Sequence, residues 1–243
     1  MTKQCIVLAA ALLASTLSAQ ITGRIDGVVS VEDGLLPPGV LVTVHRIPEH
    51  RNISRTRIPK YQVVASSLMP PRTLAITPAG GFQAEGLAAG RYVVCASFPE
   101  GYLDNCLWTG QVDVLLAPGS AAAGRNIRVR RGGVVRIRLD DPQSLLPLVA
   151  TSHGERRATI GIMSADGTFR EARLRSRDAT GRDFTITVPF DTPLQLWVNP
   201  NGVAVRAPDG RTPLPAGTVA AFQSSRLGGS IEFRLQVVPK GVP

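Results

Sequence analysis

Four side chains near one cysteine have the types and spacing needed to bind a small polar ligand. Tyr102 and Trp108 flank Cys106, and Asp104 and Asn105 lie between them. A sugar ring can stack on an exposed aromatic side chain while neighbouring carboxylate and amide groups bond its hydroxyls. The spacing therefore predicts a carbohydrate site formed by these four residues. The alternative is that Trp108 only covers a disulfide and the edge of a core.

The cysteines predict a disulfide and an oxidising environment. Cys95 and Cys106 are separated by ten residues that are rich in turn-forming types. The third cysteine, Cys5, lies in an N-terminal segment that we expect to be removed. An even pair of thiols in an exported protein is most simply a disulfide. Two free thiols with a redox or metal role are the alternative, but no third ligand lies nearby in the sequence.

Residues 1–19 have the features of a secretory signal peptide. Lys3 gives a positive start, residues 6–17 are apolar, and Ala19 ends a small-residue exit. A retained membrane anchor is the alternative, although this apolar run is short for a bilayer span. After cleavage we expect no membrane span and a secreted, periplasmic or cell-surface location in a bacterium.

Residues suited to catalysis or metal binding are few and scattered. The histidines lack the spacing of a zinc site, and adjacent carboxylates in turns point apart, so that they usually stay solvated. No nucleophile elbow or nucleotide-binding loop occurs in the sequence. We therefore expect no enzyme activity, no metal and no cofactor. The residues considered are His45, His50, His153, Glu32, Asp33, Asp140 and Asp141.

The formal net charge is +9, and almost all of the positive charge comes from arginine. Such a chain could bind an anionic surface or polymer. In residues 134–139, however, Arg136 and Arg138 alternate with apolar residues, as on one face of a solvated sheet. We interpret the arginines as such a face, and we expect no nucleic-acid partner for an exported chain.

Short apolar runs separated by turn residues predict an all-β first half. Val42 and Val44 share one face of a strand in the period-two pattern. In a later strand the same pattern places Cys95 on the outer side of the sheet, from where it can reach Cys106. Glycine, proline and polar clusters mark the connections. The predicted elements are strands at 61–67, 73–76 and 91–98, a loop at 47–60 and a turn at 77–81.

Four motifs follow one another along the first half: Ile21–Val29, Leu36–Val44, Gly81–Tyr92 and Gly101–Tyr102. Together they resemble the carboxypeptidase regulatory-like domain over residues 20–131. The resemblance implies a prealbumin-like, carbohydrate-binding-like sandwich of seven strands in which Phe82 and Leu87 fill the core and Tyr92 anchors the returning strand. The loop at 47–60 departs from the family pattern. The family is named after an accessory module of metallocarboxypeptidases, and nothing of the peptidase itself is present here.

Residues 132–243 contain a second set of short strands separated by glycine-containing turns. Strands at this spacing predict a second β-sandwich, whose rhythm is similar to that of immunoglobulin-like modules. We place the boundary between the two domains near Arg131. The predicted strands are 134–139, 158–164, 168–174, 183–189, 194–198, 203–205 and 231–237.

The sequence thus predicts an exported all-β chain of two tandem β-sandwich domains without catalytic residues. Its first functional prediction is a binding module for carbohydrate. The alternative is a structural or protein-binding module of the cell envelope that pairs exposed strand edges with another chain. The expected partner is therefore either a carbohydrate or an envelope protein.

Overall fold

The computed structural model describes residues 22–47, 71–109, 112–147, 157–207, 213–214 and 217–240. Across these residues the regular structure is almost entirely β-strand in two sandwiches, which confirms the predicted fold class. No helix in this part of the chain is long and apolar enough to cross a membrane. Outside the described residues lie the predicted leader (1–19), most of the predicted loop 47–60, the predicted strand 61–67, His50 and His153.

Eight strands among the described residues build the first sandwich: β1 (Gly23–Val31), β2 (Leu41–Ile47), β3 (Arg72–Ala75), β4 (Gly81–Leu87), β5 (Gly90–Ser97), β6 (Val112–Leu116), β7 (Ala121–Ala122) and β8 (Ile127–Val129). One sheet has the order β4–β1–β7, and β8 also pairs with β1. The facing sheet has the order β3–β2–β5–β6. The predicted strand 73–76 corresponds to β3.

Strand β1 is paired along its length with two short segments that follow each other in the chain. β7 runs parallel to the start of β1, and β8 runs parallel to its end, with Val29 opposite Ile127. Between β7 and β8 the chain passes over Gly27, where a β-carbon would lie 2.3 Å from the carbonyl oxygen of Arg125. β7 and β8 therefore occupy one interrupted strand position, so the described residues of the first sandwich fill seven strand positions.

Alternate residues of the neighbouring strands β2 and β5 form part of the core of the first sandwich. Val42 and Val44 on β2 lie opposite Ala96 and Val94 on β5, and all four are at most 3% exposed. The period-two prediction for these strands is therefore confirmed. Their β-branched and small side chains suit the buried face of a pleated sheet.

Residues that the sequence resemblance marks as core are also buried. Phe82 and Leu87 belong to the same core cluster. The Tyr92 hydroxyl donates to the Ala88 carbonyl oxygen over 2.6 Å. This hydrogen bond ties the beginning of β5 to the turn that precedes it.

Ten strands among the described residues build the second sandwich: β9 (Gly133–Asp140), β10 (Arg157–Ser164), β11 (Phe169–Glu171), β12 (Arg173–Asp178), β13 (Gly181–Val188), β14 (Pro193–Asn201), β15 (Val203–Arg206), β16 (Pro213–Leu214), β17 (Gly217–Gln223) and β18 (Ile231–Pro239). One sheet has the order β11–β10–β14–β17 and the other β12–β13–β9–β18–β15–β16. A separate buried cluster fills the space between them. The boundary near Arg131 stays a prediction.

The predicted strand 168–174 is divided at Ala172. This residue is 5% exposed, and its N–H donates to the Ile160 carbonyl oxygen over 2.8 Å. Before it, β11 pairs with β10, whereas β12 after it belongs to the opposite sheet. The continuous segment 169–178 thus crosses from one sheet to the other and closes one side of the second sandwich. The sequence prediction also omits β16 and β17. β16 has only two residues, and the residues of β17, Gly217–Gln223, show no regular alternation of polar and apolar types.

The outer face of the six-stranded sheet carries paired charges. Burial alternates along β9, and Arg136 and Arg138 lie on the solvent side, in agreement with the interpretation of a solvated face. Arg138 donates to both carboxylate oxygens of Asp178, at 2.8 Å each, and to Asp140 at 3.2 Å. Arg234 on the neighbouring strand β18 also binds Asp140. Hydrogen bonds from Arg234 and then Arg138 lower the pKa of Asp140 below its ordinary value.

Replacing Asp140 by Asn will lower the free energy of unfolding by about 1 kcal/mol at neutral pH, because Arg138 and Arg234 lose their ionised partner. Since folding lowers the pKa of Asp140, its stabilising effect is complete above the ordinary value of about 3.9 and is lost as the pH falls through the lower folded value. Urea unfolding across the acid range measures this, and the difference between the two proteins will shrink in acid.

Asp33→Asn is the matched control, because Asp33 is exposed in a bend outside this network. Its stability should equal that of the native protein at every pH. If the loss of unfolding free energy caused by Asp140→Asn stayed constant as the pH falls, the stabilising role of the ionised Asp140 carboxylate would be contradicted.

Candidate functional site

The predicted disulfide is confirmed, and it closes a short loop at one end of the first sandwich. Cys95 lies on β5, and Cys106 lies in a π-helical turn at Asn105–Thr109, with their α-carbons 5.5 Å apart. Cys95 is on the face of β5 opposite to Val94, as the strand periodicity predicts. We call residues 99–109 the junction loop, because the contacts described below connect it to the second sandwich.

Asn105 holds the junction loop against the first sandwich, and Asp104 binds the backbone of the loop itself. Asn105 is 2% exposed; its Oδ1 accepts from the Ala96 N–H at 2.7 Å, and its Nδ2 donates to the Val94 carbonyl oxygen at 3.3 Å. Asp104 accepts two backbone N–H groups at the start of the π-helical turn, at 2.8 and 3.3 Å. Burial raises the pKa of Asp104. Both polar side chains therefore have partners within the fold.

Tyr102 lies where the junction loop meets the linker between the two sandwiches. Its ring centre is 5.5 Å from that of Phe98, and both side chains pack against the first core. The guanidinium of Arg131 lies 5.2 Å from the centre of the Tyr102 ring, and the two residues also form an isolated β-bridge. Tyr102 thus covers the exit of the first domain.

Backbone hydrogen bonds fix the linker, residues 130–132, to the junction loop. The Leu103 N–H donates to the Arg130 carbonyl oxygen, and the Gly132 N–H donates to the Gly101 carbonyl oxygen, both at 2.9 Å. These two bonds lie on either side of the Tyr102 bridge. The linker is therefore part of a short antiparallel pairing and has little conformational freedom.

Trp108 makes the main contact between the junction loop and the second sandwich. The guanidinium of Arg170 on β11 lies 4.2 Å from the centre of the Trp108 ring, and its Nε donates to the Leu107 carbonyl oxygen at 2.5 Å. Trp108 is half-buried and packs against the second core. A partly desolvated cation–π contact contributes about 1–2 kcal/mol. Trp108 therefore covers part of the second core, and the guanidinium of Arg170 covers the face of the Trp108 ring.

Charged and polar pairs also connect the junction loop to the strands β12, β13 and β9 of the second sandwich. Glu100 pairs with Arg175 at 3.0 Å and with Arg136 at 3.4 Å. Arg175 lies between Leu174 and Ser176, where the register of β12 against β13 shifts. The Gly101 N–H donates to the Thr187 hydroxyl oxygen at 3.2 Å. The junction loop is thus held to the second sandwich at several points.

The junction loop separates two clefts, and the four predicted ligand residues are divided between them. The larger cleft, of about 470 Å³, is lined by Asn105 and Trp108 together with Pro189 of the second sandwich. The smaller cleft, of about 310 Å³, is lined by Tyr102 and Asp104. The structure does not bring the four residues into one pocket. A ligand role for them stays a prediction.

Three of the other residues considered for chemistry, His45, Asp140 and Asp141, have contacts within the fold. The Nε2 of His45 lies 3.2 Å from the Thr43 hydroxyl oxygen, and burial lowers the pKa of His45. Asp140 and Asp141 point apart, but the expectation that both are solvated is wrong. Asp141 is 5% exposed, and it accepts two backbone N–H groups of the following turn at 2.8 and 2.9 Å. Within the described ranges, no group of three or more possible metal ligands is found.

Arg170, Glu100 and Thr187 are junction residues that the sequence reasoning missed. Arg170 is 63 positions away from its hydrogen-bond partner Leu107, and it belongs to the other sandwich. Local periodicity carries no information about such a contact. The one available signal is the density of arginines between residues 170 and 177, which the sequence alone suggests only as a solvated face.

Neither a protein-family model nor a curated protein matches the chain. The resemblance to the carboxypeptidase regulatory-like domain therefore stays a prediction, and the observed β-sandwich agrees with it only at the level of architecture. Several solved structures are similar at low identity. They include the Bacillus anthracis TIE protein, with 13% identity over 90% of this chain and 34% of that one and a TM-score of 0.30.

A streptococcal ancillary pilin is 16% identical over 89% of this chain and 63% of its own, with a TM-score of 0.35. The minor pilin GBS52 of Streptococcus agalactiae is 10% identical over 90% of this chain and 98% of its own, with a TM-score of 0.30. The chain thus spans about a third of the TIE protein and just under two thirds of the ancillary pilin.

Replacing both cysteines, with Cys95→Ser and Cys106→Ser together, will lower the free energy of unfolding by about 2–3 kcal/mol, because the unfolded chain regains the freedom of an 11-residue loop. Urea unfolding with and without a thiol reductant measures this loss. The native protein should be destabilised by the reductant and the double variant should not. A native protein whose unfolding midpoint ignores complete reduction would contradict the prediction.

Arg170→Ala will weaken the coupling between the two sandwiches, because Trp108 and the Leu107 carbonyl lose their partner. We expect a loss of about 2 kcal/mol and wider separation of the two unfolding transitions in calorimetry. Arg177→Ala is the control, since Arg177 is an exposed arginine on β12 away from the junction. Identical calorimetric traces for the native protein and Arg170→Ala would refute the coupling.

Proposed function

We propose that this chain is an exported, non-catalytic module with a structural or protein-binding role in the cell envelope. Export is supported by the predicted leader at 1–19 and by the Cys95–Cys106 disulfide, because disulfides persist in oxidising compartments. A non-catalytic role is supported by Asp104, Asn105 and Asp141. The polar atoms of these three side chains bind backbone groups of the fold.

The observation that carries this proposal is the junction between the two sandwiches. Leu107 and Trp108 contact Arg170, and Glu100 pairs with Arg175. Together with the fixed linker, these contacts make one unit of the two cores. Two sandwiches in a fixed relative orientation suit a structural protein that spans a set distance, or a binding protein that presents a surface in one orientation.

Carbohydrate binding, the first prediction from the sequence, has less support. Arg170 lies over the ring of the half-buried Trp108, and Asn105 is 2% exposed. Neither side chain offers the open surface that a sugar ring needs. Tyr102 and Asp104 line the smaller cleft on the other side of the junction loop. Sugar binding is therefore an alternative outcome of the test below.

Strand β6 is the edge that we assign to a protein partner. It ends the sheet β3–β2–β5–β6, so its far side has no strand neighbour among the described residues. Leu115 on this strand is 81% exposed, and Val112–Leu116 contains neither the lysine nor the proline that often protects an edge. An extended segment of another protein can add to such an edge by strand pairing and cover the leucine.

A photoreactive amino acid placed at Leu115 will cross-link a discrete envelope protein in the native host. The same group at Leu35, which is 92% exposed in a bend, will not. Leu115→Lys should weaken capture of that protein roughly tenfold, because burying a leucine side chain contributes about 1.5–3 kcal/mol. Leu35→Lys is the matched control and should leave capture unchanged.

Two results would count against this proposal. Equal cross-linking from both positions would mean that the contact is non-specific, and no cross-linking from Leu115 would remove β6 as the binding edge. Retention of the chain on immobilised glycans, with release by soluble sugar, would favour carbohydrate binding instead.

A further inference from the structure

The first and last strands of each sandwich are parallel neighbours. In the first sandwich, β1 and β8 share three consecutive register pairs that begin at Val29 and Ile127, and β1 and β7 share two more. In the second sandwich, β9 and β18 share six consecutive pairs that begin at Val135 and Ile231. In both cases the strand where the chain enters the domain is bonded to the strand where it leaves.

This arrangement decides how tension acts on the hydrogen bonds. When the chain is pulled from its two ends, the first strand is drawn towards its start and its parallel partner towards its end. The two forces run along the strands in opposite directions, across evenly spaced bonds. All of the bonds in the pair are then loaded together. Two strands pulled from the same end would instead separate one bond at a time.

Side chains reinforce the pair in the second sandwich. Arg234 on β18 binds Asp140 on β9, and Arg136 on β9 lies 4.0 Å from Glu232 on β18. On the other face, the inward residues of both strands belong to the second core. The hydrogen bonds of this pair are therefore flanked by ion pairs on one side and by packed apolar groups on the other.

The linker passes force from one sandwich to the next with little slack. Only residues 130–132 separate the end of β8 from the start of β9. Their backbone is bonded to the junction loop through Leu103 and Gly101. Tension that leaves β8 therefore enters β9 directly.

We infer that the chain bears tension along its length, with the β1–β8 and β9–β18 pairs as its load-bearing elements. This inference rests on the proposed structural role and specifies it. The first sandwich yields at lower force, because its five register pairs are split into two short runs on either side of Gly27. The second sandwich has six in one run.

Single-molecule pulling of the exported chain in two geometries tests this inference. Handles at the two termini load both pairs along their strands. A second protein has one handle at the N-terminus and the other at Gly229, an exposed residue just before β18 with open space at its β-carbon position. This geometry peels β9 and β18 apart from one end. The second sandwich should need at least about twice the force in the end-to-end geometry.

In the end-to-end geometry, the disulfide identifies which sandwich unfolds in each event. The two sandwiches span equal lengths of chain, residues 23–129 and 133–239. The Cys95–Cys106 bond withholds an 11-residue loop, which is about 40 Å of extended chain at about 3.6 Å per residue. Because the bridged α-carbons already span 5.5 Å, the first sandwich extends by roughly 35 Å less than the second. Reduction should remove that difference. The unfolding event with the smaller extension, that of the first sandwich, should come first.

Arg234→Ala should lower the end-to-end force of the second sandwich and change the peeling force much less. Arg24→Ala is the control, because Arg24 pairs with Asp26 on the same strand and bridges no load-bearing pair. Equal forces in the two geometries would overturn the inference, even if Leu115 captures a protein. A high end-to-end force without any partner at Leu115 would support load bearing and remove β6 as the binding edge.

Discussion

The guanidinium of Arg170 meets the first sandwich through two kinds of contact, a hydrogen bond to the Leu107 carbonyl and a position over the Trp108 ring. Both groups are presented by a turn that the disulfide and Asn105 hold in place. The disulfide of the first sandwich therefore fixes the geometry of the contact that Arg170 of the second sandwich makes. Arginine suits this position because its planar group can stack and donate at the same time.

The same property of arginine is used at other places in the structure. On the outer face of the six-stranded sheet, Arg138 bonds Asp178 through two nitrogens and also contacts Asp140. At the junction, Arg175 pairs with Glu100. Much of the positive charge in these two regions is thus paired with carboxylates in neighbouring strands and loops. The net charge of +9 therefore gives little reason to assign a polyanion to this face.

The parts of this structure that sequence can predict depend on residues close together in the chain. The alternation of Val42 and Val44 fixes a buried strand face, and the short spacing of Cys95 and Cys106 fixes a bridge. The change of sheet at Ala172 cannot be predicted in this way, because the strand pattern continues while the neighbours change. The junction is hidden for a second reason. Asp104 and Asn105 can bond a sugar or a backbone equally well, and only the fold decides which one is within reach.

The linker between the sandwiches contains two adjacent arginines, Arg130 and Arg131, which are candidate cleavage sites for a protease that cuts after basic residues. Cleavage requires the chain to enter an active site in an extended and unbonded form, which is why exposed loops are cut first. Here the Arg130 carbonyl is hydrogen-bonded to Leu103, and the Arg131 side chain lies over Tyr102. A protease would have to open the junction before it could cut. The contacts that orient the two domains therefore also protect their connection against proteolysis.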